Sequence, residues 1–185
     1  MSLSKIQMVN HSLFPWPLVT LDFEASSLLP GTYPIEVGVC RWVGPGQPLE
    51  GWSTLIKPTA KWVELGVWSP DSALVHGIAR EDLEAGLEPQ AALERLNSII
   101  GFRGHALVDG GEHDVRWLNM LVGASLDRAI FRLSDFDHVA LRLEREGYAR
   151  VVRYLDLTPV PHRALDDAVR LMRALAEGLG VDQPV

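Results

Sequence analysis

Five residues of this chain have the types and settings that hydrolytic chemistry needs. Asp22 and Glu24 sit two apart in the apolar run Leu18-Val19-Thr20-Leu21-Asp22-Phe23-Glu24. On a strand, side chains two apart share a face, so both carboxylates point one way and Val19, Leu21 and Phe23 the other. Two adjacent like charges repel, and each is costly to desolvate; taken alone, the pair is also what a solvent-facing edge would carry. Asp114 opens a helical run whose i+3, i+4 and i+7 neighbours are Trp117, Leu118 and Leu121, which puts it on the inward face. The helix dipole favours an acid at that end but does not set its direction. Asp167 lines up with Leu171 and Ala174, on or beside the buried stripe of the last helix. Its neighbour Asp166 shares a charged face with Arg170, Arg173 and Glu177 and reads as a solvated partner of Arg170. His162 stands five positions before Asp167, about 140° around an ideal helix. The two converge only if His162 comes from the loop or first turn, which Pro161 favours.

Four inward acids on three separate elements require compensation, and no lysine is near any of them in sequence. A divalent cation is the simplest compensator, and oxygen donors without cysteine suit Mg²⁺ or Mn²⁺. Two such ions about 4 Å apart are a general device for in-line attack on a phosphodiester. A histidine, titrating near neutral pH, is a suitable base for the attacking water.

The elements that must position these residues follow from patterning. Leu18–Glu24, Ile35–Val43 and Trp52–Ile56 are expected strands with short connections, an antiparallel meander. Residues 59–87, with Trp62, Trp68 and Pro70, are expected to be an irregular loop. Its tryptophans either pack the loop onto the domain, the favoured reading, or stack on bases. Pro89–Ile100 is an expected helix, His105–Val108 a strand, Asp114–Val122 a helix and Ala129–Leu133 a strand. Asp135–Glu146 is an expected helix stopped by Gly147, Tyr154–Leu157 is expected to be extended, and a last helix runs from His162 to Leu179. Strands first, then alternating helix and strand, predict an α/β domain with a mixed sheet. The expected organisation is a leader over residues 1–17 and a single domain over 18–180.

The chain has 185 residues, a length suited to one domain. Cys40 is the sole cysteine, which excludes an intrachain disulfide and a cysteine-based zinc cluster. A reducing, cytoplasmic setting is expected. No run approaches 18 apolar residues, so no membrane partner is expected. The net charge is 17 − 24 = −7, whereas a protein that neutralises a long duplex should be basic. Contact with nucleic acid, if present, is therefore local and short. The 14 arginines against 3 lysines fit bidentate phosphate contact and equally a genomic composition bias. Apolar residues near the termini would allow a homodimer.

The residues together resemble the DEDDh family of 3′→5′ exonucleases. Leu21-Asp22-Phe23-Glu24 resembles its first motif, and Tyr33-Pro34-Ile35-Glu36-Val37-Gly38 the segment that follows. His76-Gly77-Ile78 with Glu81-Asp82-Leu83 resembles the His-Gly-Ile segment; Asp114 falls where the second-motif acid belongs; His162-Arg163-Ala164-Leu165-Asp166-Asp167-Ala168 resembles the third motif. The resemblance covers roughly residues 18–178. One departure stands out. The family usually carries His-Asn shortly before the second-motif acid, where this chain has Asp109-Gly110-Gly111-Glu112-His113. The resemblance implies a ribonuclease H-like three-layer domain with a central mixed five-stranded sheet flanked by helices. It implies two Mg²⁺ or Mn²⁺ ions, Asp22 bridging both, Glu24 and Asp167 completing the tighter site and Asp114 holding the second. His162 would take the proton from the attacking water. Phe23, through its amide, His76 and His113 are candidate substrate contacts, His76 being equally suited to capping a turn. The expected substrate is a single-stranded nucleic-acid 3′ end or a short oligonucleotide, RNA or DNA, and the product a nucleoside 5′-monophosphate. The alternative is a degenerate, non-catalytic binding or scaffold relative of the same fold.

Overall fold

The computed structural model describes residues 14–182. Most of the expected leader lies outside them. Its last residues pack inward: Phe14 is buried, and Trp16 meets Trp42 edge to face.

Five strands form one sheet: β1 (Leu18–Ala25), β2 (Pro34–Trp42), β3 (Leu49–Leu55), β4 (His105–Val108) and β5 (Arg132–Asp135). Their order is β3-β2-β1-β4-β5. The meander β1–β2–β3 is antiparallel, while β4 and β5 run parallel to β1. This is the mixed five-stranded sheet implied by the sequence. The period-two pattern of β1 sorts its side chains onto two layers. Val19, Leu21 and Phe23 join Ile35, Val37 and Val39 of β2 under α3 (Pro89–Ile100) and α4 (Glu112–Gly123). Leu18 of β1 and Cys40 and Trp42 of β2 face α5 (Phe136–Ala140), α6 (Arg145–Leu157) and α7 (Ala164–Leu179). The result is a three-layer sandwich with one apolar core on each side of the sheet.

Along the α7 face, β1 changes character. Leu18 is apolar and buried; Thr20 donates its hydroxyl to the Ala168 carbonyl at 2.6 Å; Asp22 and Glu24 follow. Apolar packing gives way to a side chain–helix hydrogen bond and then to carboxylates as the strand runs out toward the first turn of α7.

Several local expectations are corrected. Residues 59–87 are not irregular. They form α1 (Ala60–Leu65), α2 (Pro70–His76) and a 3₁₀ helix (Arg80–Ala85). Thr59 and Ser69 cap the two α-helices by accepting the Trp62 and Ser72 amides. The tryptophans pack this segment down, Trp62 stacking on Tyr33 with centroids 6.1 Å apart. The expected helix from Asp135 to Glu146 breaks after Ala140, and α6 runs straight through Tyr154–Leu157, which was expected to be extended. Gly147 does not stop a helix; it lies inside α6, where an added Cβ would come within 2.7 Å of the Gly178 carbonyl oxygen. Small residues there let α6 and α7 meet nearly backbone to backbone. β5 begins at Arg132, three residues later than expected, and α7 begins at Ala164, after His162. Among the described residues, no helix is long and apolar enough to cross a membrane.

Candidate active site

Asp22 and Glu24 project from β1 on the side facing α7, and Asp167 comes down from the first turn of that helix. One carboxylate oxygen from each of the three lies within 4.8 Å of the others. The register explains the approach. Asp22 pairs with Gly38 on β2, and Gly38 lies under the start of α7. A Cβ there would sit 2.1 Å from the Leu165 nitrogen and 2.2 Å from the Ala164 carbonyl carbon. Only a residue without a side chain lets the helix backbone settle onto the sheet beside Asp22.

Asp114 enters from the opposite layer, at the start of α4, and is 1% exposed. Neither of its carboxylate oxygens has a hydrogen-bond partner among the described residues. The turn before it is made of glycines. A Cβ at Gly110 would lie 2.5 Å from an Asp114 oxygen and push that carboxylate aside, and Gly111 adopts φ 58°, a left-handed conformation that glycine takes without strain.

His162 lies in the loop before α7, exposed and itself in the left-handed region at φ 56°. Asp22, Phe23, Glu24, His113, Asp114, His162 and Asp167 line one cavity of about 270 Å³, with Leu28, Val160 and Arg170 among its other walls. A larger groove between α4 and β5, about 770 Å³, adjoins it at the Gly110–Gly111 turn. Phe23 is buried and packs against Trp117 with ring centroids 6.5 Å apart; His113 is exposed, its ring 5.6 Å from that of Trp117. His76 is not brought into this cavity. It is buried, its Nδ1 accepting the Ile78 amide at 3.0 Å, while its Nε2 has no partner among the described residues.

The carboxylates perturb one another. Burial, followed by the charges of Asp114, Glu24, Asp167 and Asp109, raises Asp22 well above the usual range. Burial, then Asp167 and Glu36, lifts Glu24 to about 7, with Arg163 pulling it back. Asp114 also rises to about 7, through burial and then Asp109; the nearby Gly110 amide opposes this without reaching hydrogen-bond geometry. Asp167 is raised by desolvation, against the Arg163 amide and the charges of His162 and Arg170. Such a group is unfavourable as bare anions and favourable around a cation, so the donor set fits divalent metal. Asp22, Glu24 and Asp167 would hold it on one side, with the unpartnered oxygens of Asp114 turned in from the other.

Three residues that build the site carried weak sequence signals: Glu36 and Arg163, which form an ion pair, and Gly38. Arg170 also differs from expectation. Rather than pairing with exposed Asp166, it donates to the Leu155 carbonyl at 2.7 Å and to Thr158.

A mixed sheet between two helical layers, with acids from β1, α4 and α7 meeting a histidine at one end, defines the ribonuclease H-like class of nucleases. The chain belongs to the Exonuclease (RNase_T) family, whose profile matches residues 19–175, and its acids and histidine mark it as DEDDh-type. It is 30% identical over 158 residues to a PolC-type DNA polymerase III of Thermotoga maritima and 29% identical to that of Thermotoga petrophila. The matched region is 81% of this chain but only 11% of each polymerase. The fold is also that of a 3′-exonuclease solved in 3′-end-specific recognition of a histone mRNA stem-loop, with a TM-score of 0.66 at 14% identity over 89% of this chain and 64% of that one. A Mopeia virus exonuclease domain partially complexed with manganese aligns with a TM-score of 0.50 at 17% identity, covering 94% of this chain and 84% of that domain.

Proposed function

We propose that this protein is a metal-dependent 3′→5′ exonuclease that hydrolyses the terminal phosphodiester of single-stranded or short RNA or DNA and releases nucleoside 5′-monophosphates. The observation that carries this reading is the meeting of Asp22, Glu24 and Asp167 within 4.8 Å, in one cavity with buried, unpartnered Asp114 and exposed His162. The manganese in the Mopeia virus exonuclease domain and the 3′-end recognition by the stem-loop exonuclease support the metal and the direction.

Two Mg²⁺ or Mn²⁺ ions, bound there, would neutralise the carboxylates and stabilise charge developing on the phosphoryl oxygens. Asp22 is placed between the other acids and would serve both ions; Glu24 and Asp167 would complete one site and Asp114 the other. His162, exposed at the cavity wall, takes the proton from the water that attacks phosphorus. The Phe23 amide and His113, both on the cavity, would meet the terminal nucleotide, whereas buried His76 does not line it. The net charge of −7 suits an enzyme that grips only the last few nucleotides, with charge compensation kept local.

The test is incubation of 5′-end-labelled RNA and DNA oligomers with Mn²⁺ or Mg²⁺. A ladder shortening from the 3′ end, with 5′-monophosphate product and its loss in Asp22→Asn, supports the proposal. Internal fragments would make this an endonuclease, and silence from the wild-type protein would leave a binding or scaffold relative.

A further inference from the structure

Glu36 is a carboxylate in an awkward place. It lies on β2 directly across from Glu24, on the face that meets α7, and is only 4% exposed. A buried acid beside another acid needs strong partners, and here they are specific. The Arg163 guanidinium reaches it as a fork, Nη2 to Oε1 at 2.7 Å and Nε to Oε2 at 3.1 Å. The Ala164 amide, at the first turn of α7, donates to Oε2 at 3.0 Å. One side chain on the sheet therefore supplies both a counter-charge and a cap to the start of another element.

Arg163 connects that anchor to two functional side chains. Its own amide donates to Asp167 Oδ2 at 3.1 Å, and its peptide nitrogen is joined to His162, which holds φ 56°. On the other side of the loop, Arg170 fastens Leu155 and Thr158. Between these two arginine anchors run only Pro159, Val160, Pro161 and His162.

We infer that Glu36 is a positioning residue of the nuclease centre: by gripping Arg163 and the Ala164 amide it sets where Asp167 and His162 stand relative to Asp22 and Glu24. Glu36 is not one of the acids that converge on a cation site; it acts through Arg163. The inference rests on the nuclease reading for its kinetic consequence, but metal affinity tests it separately.

The experiment compares wild type with Glu36→Gln, Arg163→Lys and Arg163→Met, measuring Mn²⁺ affinity by electron paramagnetic resonance, kcat and KM on a labelled oligonucleotide, and melting. Glu36→Gln keeps an acceptor for the Ala164 amide but loses the ion pair. Arg163→Met leaves the Arg163 backbone amide on Asp167 but strands the buried Glu36 carboxylate. Glu36→Gln removes that charge and leaves a half-exposed arginine, so it is the variant expected to fold if Arg163→Met does not, and wild-type Mn²⁺ affinity and kcat in folded Glu36→Gln overturn the inference equally. Outer-shell partners of this kind are worth roughly 10- to 100-fold in metal affinity or activity. The expected result is a loss of that size in Mn²⁺ affinity and kcat for Glu36→Gln and Arg163→Met, little change in KM, and partial recovery in Arg163→Lys. Folded Arg163→Met with wild-type Mn²⁺ affinity and kcat overturns the inference, even if its melting point falls. A wild-type protein that binds Mn²⁺ but cuts nothing sinks the nuclease proposal instead, and the affinity series still decides the role of Glu36.

Discussion

Asp167 and Asp114 approach β1 from opposite layers, and their surroundings differ in kind. Asp167 is held: its carboxylate accepts the Arg163 amide, Arg163 grips Glu36, Thr20 ties β1 to α7, and Gly38 brings the backbones together. Asp114 is merely enclosed. It is buried on a glycine turn with neither oxygen partnered among the described residues. The α7 wall of the cavity is stabilised by protein–protein hydrogen bonds whether or not a cation is present. The α4 wall carries a polar group with no partner among the described residues. This asymmetry separates a carboxylate that the fold already holds from one left open to a ligand.

The largest effect that can test the contrast is kinetic. His162→Ala is expected to lower kcat by roughly 10²- to 10⁴-fold while leaving Mn²⁺ affinity near wild type, because the histidine is not among the converging acids. A parallel fall in Mn²⁺ affinity, measured by calorimetry, would mean that His162 is part of the metal wall itself.

Next comes packing. Gly38→Ala would drive a Cβ into the α7 backbone and is expected to cost more than about 3 kcal/mol in denaturant unfolding. At the far end of α4, away from the cavity, Gly123 has open space around an added Cβ and serves as the control: Gly123→Ala is expected to be neutral or to stabilise by up to about 1 kcal/mol. Equal costs at the two positions would mean that the close approach at Gly38 does not hold the α7 wall.

A smaller effect is expected with pH. Glu24 and Asp114 are raised to about 7 in the folded protein, and Asp22 is raised as well. The unfolded chain then binds fewer protons than the native one between their ordinary values near 4 and about 7. The stability associated with these groups is fully present below that ordinary range and is lost as pH rises through about 7. The metal-free protein should therefore melt higher at pH 5 than at pH 8, and saturating Mn²⁺ should remove much of the difference.

The finest test separates the two walls directly. Asp114→Asn should raise the metal-free melting point at pH 8 and change it little at pH 5, where Asp114 is already protonated. Asp167→Ala, which strips a hydrogen bond from the Arg163 amide, should cost about 1 kcal/mol of stability and so lower the melting point at both. The opposite signs are the informative outcome, and differential scanning fluorimetry at the two pH values reads them.

The sequence showed some of this plainly. Pro89–Ile100 and His105–Val108 appear with the expected bounds because a long amphipathic stripe framed by Pro and Gly, and a short apolar run, are local signals. The shared face of Asp22 and Glu24 and the inward direction of Asp114 follow from periodicity alone. What was hidden depends on distant partners. α1 and α2 are too short to show a stripe, and capping by Thr59 and Ser69 together with packing of Trp62 holds them. Gly147 resembled a helix stop because its partner, Gly178, is 31 residues away in sequence. Glu36 appeared only as part of a matching segment; its meaning required Arg163, on the far side of the sheet connection. Arg170 looked like a partner for Asp166, but the end of α6 offered it carbonyls instead.

Gly38 has one more consequence. Where side chains separate a helix from a sheet, a local disturbance is absorbed by rotamer changes within nanoseconds. Above Gly38 the peptide planes of β2 and α7 are in contact, and no rotamer lies between them. Displacement of the Asp167 backbone at that point needs the start of α7 to move with it, a collective motion slower than a rotamer change. The width of this end of the cavity is therefore governed by backbone rigidity and should vary little with temperature until the layer itself gives way.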